Sequence, residues 1–167
     1  MPLTSTINLN ISGTQTSALD LGTASYPFTL SSNFSLTSGT GASQADRAFS
    51  DTRTLAASGT EDLDLAGVLT DAFGAVITFA KIKAIVIKAA AANTNNVNLS
   101  RPAAATGVPL FLAISDGIVI PPGYTFAWFG PGTGITVTAA TADLITLTNS
   151  GAGTGVTYDV VILGVSA

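Results

Sequence analysis

Glu61, Asp62, Asp64 and Asp71, four of the ten acidic side chains in this 167-residue chain, crowd into the stretch EDLDLAGVLTDAFG at 61–74. Clustered carboxylates can hold a hard cation or share acid–base work. Measured against the calcium loop D-x-[DN]-x-[DN]-G-x5-E from Asp62, Asp64 falls on the third position and Gly67 on the sixth. Ala66 takes the fifth and Phe73 the twelfth, where a bidentate Glu belongs. Two such ligands do not hold calcium. On a strand, Asp62 and Asp64 share one face while Leu63 and Leu65 take the other. A solvated strand running into a turn near Thr70 and Asp71 accounts for the whole pattern.

Other chemistries lose their reagents. The chain has no histidine and no cysteine, which removes Ser-His-Asp and Cys-His catalysis, histidine metal clusters and thiolate sites. No serine stands three residues before a lysine, and G-x-S-x-G does not occur. No glycine is followed by lysine, so there is no Walker A loop, and GPGTG at 130–134 is expected to be a turn. The expectation is a protein without catalytic residues, metal or cofactor.

Tyr124, Phe126 and Trp128 alternate in GYTFAWFG and share one face of an expected strand. Such a row can stack a sugar or bury itself. Its position after the rigid turn PPG favours a core or subunit-interface role over a ligand platform.

The elements that must position these residues are strands. Ile7, Leu9 and Ile11 alternate with Asn8 and Asn10, Tyr26, Phe28 and Leu30 keep the same period, and Val156, Tyr158, Val160 and Ile162 close the chain. IKAIVI at 82–87 is almost continuously apolar, which suits a central strand covered on both faces. Asp116-Gly117 predicts a hairpin pairing Leu110–Ile114 with Ile118–Ile120. No segment keeps amphipathic helical periodicity for three turns. The predicted fold is all-β, a single jelly-roll-like β-sandwich. Residues 1–25 form an N-terminal arm or edge strand and residues 26–167 the sandwich domain. The Ser- and Gly-rich 35–44 is expected to be a long surface loop.

Composition bounds the partners. A net charge of −4 with only six basic residues counts against nucleic-acid binding. Charged residues make up 10% of the chain, against about 25% in an average soluble domain, and mean hydropathy is +0.51. A surface so poor in charge is suited to being covered by copies or partners. Lys81, Lys83 and Lys88 interrupt the apolar stretch at 76–92 and argue against a membrane span. The first residues, MPLTSTINLNISG, show no signal-peptide pattern.

The segments ADRAFSDTRTLAASGTEDLDLAGVLTDAFGAVITFAKIKAIVIKAAAANTNNVNLS and VTAATADLITLTNSGAGTGVTYDVVILG resemble a group of small proteins encoded among the structural genes of tailed bacteriophages. The likeness extends over residues 45–167, with TRTLAASGTEDLDLAG and NTNNV its most distinctive wording. It implies a virion structural role and brings no catalytic residues with it. Within that role, a decoration or cement protein on the capsid surface is expected. Its partners would be the major capsid protein and further copies of itself, as trimers, after assembly in the host cytoplasm. Ile7, Leu9 and Ile11 are the residues expected to contact the capsid or another partner. A tail- or fibre-associated protein binding a glycan receptor is the alternative.

Overall fold

The computed structural model describes residues 2–102 and 106–167. Its strands are β1 (Ser5–Leu19), β2 (Gly22–Ser38), β3 (Gln44–Ala45), β4 (Arg47–Leu55), β5 (Thr60–Asp64), β6 (Lys81–Ala89), β7 (Val97–Ser100), β8 (Gly117–Ile120), β9 (Thr125–Phe129), β10 (Ile135–Thr136), β11 (Leu144–Asn149) and β12 (Val156–Val165). The fold is all-β, as the alternation predicts.

Two antiparallel sheets form a sandwich. In one, β4 pairs with β12, β12 with β6, and β6 with both β9 and β10. In the other the order is β5, β11, β7, β8. Period two sends Val156, Tyr158, Val160 and Ile162 of β12 into the core beside Ile85 and Ile87 of β6. Leu63, Ile145, Leu147 and Leu99 enter it from the facing sheet. Each such side chain contributes about 1.5–3 kcal/mol through burial. In β6 residues of both parities are buried, Ile82 and Ala84 as well as Ile85 and Ile87, which fits its central place.

A β-bulge between Leu163 and Gly164 lets β12 finish against β6. A Cβ on Gly164 would lie 2.3 Å from the Lys81 carbonyl oxygen and 2.6 Å from the Phe79 ring. Gly164→Ala is therefore expected to cost about 2 kcal/mol, because backbone must move to admit the methyl group; a denaturant melt that leaves the midpoint unchanged would contradict this.

β1 and β2 stand apart from the sandwich as a two-stranded ribbon with fifteen residue pairs, from Ser5↔Leu36 to Leu19↔Gly22. At about 3.4 Å per residue it reaches some 50 Å. Its base is fastened to the body. Leu36 is fully buried, the Phe34 ring lies 6.5 Å from that of Phe129 on β9, and Ser43 N–H donates to the Pro131 carbonyl. β3 runs parallel to the end of β2. The following Asp46 carboxylate accepts bonds from the N–H and Oγ–H of Ser166. The ribbon is continuous through residues 25 and 26, so the boundary expected there falls inside β2. The expected loop at 35–44 is instead the end of β2, a turn and β3.

The hairpin predicted at Asp116-Gly117 does not form. β8 pairs with β7, through Ile118↔Leu99 and Ile120↔Val97. Residues 110–114 are turns held from both sides: the Asp116 carboxylate accepts from Ala113 N–H, and the Arg101 guanidinium donates to the carbonyls of Phe111 and Leu112. Asp116 thus closes a preceding turn rather than opening a hairpin.

Candidate functional site

The four carboxylates of 61–74 do not converge. Asp62 and Asp64 face outward on β5, as predicted; Asp62 accepts from Thr146 Oγ1 on β11 and Asp64 from the N–H of Ala66. Asp71 accepts from the N–H groups of Phe73 and Ala75, both at 2.9 Å, and so closes its own turn. Among the described residues no three acidic side chains are grouped to hold a metal ion.

Glu61 behaves differently because it shares the inward parity of Leu63 and Leu65. It reaches across the end of the sandwich to β12, where its carboxylate accepts the Tyr158 hydroxyl. It also accepts from Arg53 Nε at 2.9 Å, and the same guanidinium donates to Asp51 at 3.0 Å. Arg53 and Tyr158 are cross-strand partners on β4 and β12, so one sheet supplies both donors and the other the acceptor. Burial pushes the Tyr158 phenol far above its ordinary range, and the hydrogen bond to Glu61 and that carboxylate's charge act in the same direction. Burial works against the Arg53 charge, but its bond to Glu61 and the Glu61 charge outweigh that and hold it above its usual value. This network ties the two sheets together.

An open cleft of about 350 Å³ lies beside it, lined by Asp51, Arg53, Asp62, Thr70 and Asp71 among others. Its one cation already serves two carboxylates and its Asp71 serves two backbone amides. Its charged side chains, Asp51, Arg53, Asp62 and Asp71, are committed to structure.

Lys83 was visible in the sequence only as an interruption. It is buried at 2% exposure, and Nζ donates to the Gly132 carbonyl; among the described residues no carboxylate lies in salt-bridge range. Burial first, and then the charge of Lys81, lowers its pKa. A buried cation without an anion is a net cost. Lys83→Met is expected to raise stability by about 1 kcal/mol; a lower melting temperature would show that the bond to Gly132 matters more.

The aromatic row divides. Phe126 and Trp128 are half-buried against the core, with the Phe126 ring 6.4 Å from Phe111 and the Trp128 ring over Gly130. Tyr124 precedes β9 and is exposed. The three therefore make no continuous platform.

An extended apolar surface lies on the ribbon. Cross-strand partners point the same way, so Ile7 and Phe34, Ile11 and Leu30, Gly13 and Phe28, and Gln15 and Tyr26 lie on one face. The other face carries Asn8 with Asn33, Asn10 with Ser31 and Ser12 with Thr29. Ile11 and Phe28 remain 51% and 47% exposed. Phe28 lies across Gly13, where a Cβ would come within 2.4 Å of the ring, so the missing side chain seats the phenyl group. The sequence marks Ile7, Leu9 and Ile11, and separately the period of Tyr26, Phe28 and Leu30; the structure brings the two rows together. The signal that joins them is their mirror placement about Asp20-Leu21.

Comparison with protein-family models, with curated proteins and with solved structures finds no match to this chain. No helix among the described residues is long and apolar enough to cross a membrane.

Proposed function

We propose that the protein is a non-enzymatic structural protein of a tailed-bacteriophage virion, a jelly-roll decoration protein that binds the mature head as an oligomer and stabilises it. The observation that carries the reading is the ribbon: a 50 Å-scale projection that shows solvent a mostly apolar face. Two-stranded ribbons are marginal alone, and exposed apolar faces of this kind mark macromolecular contacts. Three further features support it. Numbering the sandwich strands β4, β5, β6, β7, β8, β9, β11, β12 as first to eighth, the sheets run first–eighth–third–sixth and second–seventh–fourth–fifth. We read that order as the double Greek key of a jelly roll, an architecture used by viral capsid and lectin domains. The resemblance of residues 45–167 to phage structural proteins points the same way. The four carboxylates of 61–74 are engaged in holding the fold.

Such a protein works by mass action. Binding the expanded shell and not its precursor stabilises the expanded state, by about 2.7 kcal/mol per site at a free concentration one hundred times Kd. The major capsid protein is the partner, and no covalent chemistry is required. Cryo-electron microscopy of the parent particle tests the reading. Density for this fold over the shell lattice is the expected result; a few copies confined to a vertex or tail would transfer it to the tail or fibre, and absence from the particle would end the virion reading.

A further inference from the structure

We infer that the apolar face of the ribbon is covered by the same face of a second copy of this chain. The inference rests on the proposed virion role for its setting and supplies that role's oligomer with an interface. The ribbon needs a cover from outside its own chain, since Leu9, Ile11, Tyr26, Phe28 and Leu30 stay exposed among the described residues.

Area is the first argument for a second copy. Aromatic side chains present roughly 150–250 Å² and aliphatic ones less, so the exposed fractions of Leu9, Ile11, Leu19, Tyr26, Phe28 and Leu30 leave on the order of 600 Å² of surface. A stable interface takes about 800 Å² from each partner. The ribbon face nearly meets that requirement alone, and its polar margin makes up the rest.

Charge is the second argument. Residues 5–38 contain one ionisable side chain that is charged at neutral pH, Asp20, at the tip. The rest of the net −4 chain would repel its copies, whereas the ribbons meet without like charges between them. A face without charge also has no electrostatic means of selecting a different partner. It is matched instead by its own pattern. The large pairs Ile7–Phe34 and Ile11–Leu30 flank Leu9, which lies opposite the small Ser32. A bulky group of one copy can sit over Ser32 of the other, as facing sheets do at about 10 Å separation.

The chain has no cysteine, so an introduced thiol reports on one position. Ile11→Cys places it on the apolar face and Ser12→Cys on the polar face. The protein is expected to be an oligomer by light scattering, with the thiol at 11 reacting with a maleimide about tenfold more slowly than that at 12, and the difference vanishing on dilution to monomer. Leu30→Cys and Thr29→Cys repeat the comparison on β2, should cysteine at 11 weaken the association. A monomer with equal reactivities overturns the inference, as does an oligomer in which both thiols stay reactive. Protection that appears only when expanded heads are added also overturns it, making the capsid the occupant while leaving the head-binding role intact. A protected oligomer that ignores heads supports the interface and removes the virion role.

Discussion

Glu61→Ala is expected to lower the free energy of unfolding by about 3 kcal/mol, the largest loss from any single polar side chain described above. The substitution leaves the wholly buried Tyr158 without the acceptor of its hydroxyl and Arg53 with Asp51 alone. A fully enclosed pair would lose about 3–5 kcal/mol. Glu61 and Arg53 keep 21% and 31% side-chain exposure, which places the value at the lower end. For a domain of this size each kcal/mol moves the melting temperature by about 2–4 °C. Calorimetry should therefore show a fall of about 6–12 °C. Glu61→Gln, which keeps an acceptor for Tyr158 but not the charge, should recover part of it. A Glu61→Ala protein that melts with the wild type would mean that the network does not bind the sheets together.

Alkaline pH should unfold the protein through Tyr158. Its pKa is raised in the folded state above the ordinary value of 10.0. Above that pH the unfolded chain loses the phenolic proton while the folded chain keeps it, so stability is complete below pH 10 and falls as pH rises. One proton gives a slope approaching about 1.4 kcal/mol per pH unit, or about 2 kcal/mol by pH 11.5. Lys83 acts with the opposite sign. Its folded-state pKa lies below 10.5, so the unfolded chain binds the extra proton, and stability rises with pH until the free lysine has titrated. Denaturant titrations of Tyr158→Phe in a Lys83→Met background separate the two. The phenylalanine variant should lose the steep decline above pH 10; an unchanged slope would assign alkaline unfolding to other groups.

Much of the sandwich was legible because period-two alternation is the direct record of a half-buried strand. Val156 to Ile162 and IKAIVI lie where their patterns put them. The outward pair Asp62 and Asp64 was equally plain. Their neighbour Glu61 was harder to place, since a carboxylate on the parity of Leu63 and Leu65 gives no hint of a tyrosine 97 residues away. The ribbon was legible as two rows of alternating residues, but the register that pairs them was not. Its turn residues, Asp20 and Leu21, are not among the residues with positive φ, so the Asn-Gly or Asp-Gly signature of the common two-residue turns is missing. Asp116-Gly117 had that signature and misled, because the Asp116 carboxylate was already engaged with Ala113.

The two parts of the molecule also differ in how far apart in sequence their contacts lie, and this sets the order in which they form. β4 cannot complete its sheet until β12 arrives: Thr52 Oγ1 donates to Asp159, 107 residues on. The ribbon needs only neighbours across a two-residue turn. Hairpins close in about 1–10 μs, whereas β-sandwiches take milliseconds to seconds. During synthesis, at about 5–20 residues per second, the ribbon emerges seconds before β12 exists. The ribbon's two strands are therefore both available to pair while the body is still unfinished, and a hairpin that is marginal alone gains its anchor at Phe34 and Leu36 only when the sandwich closes beneath it.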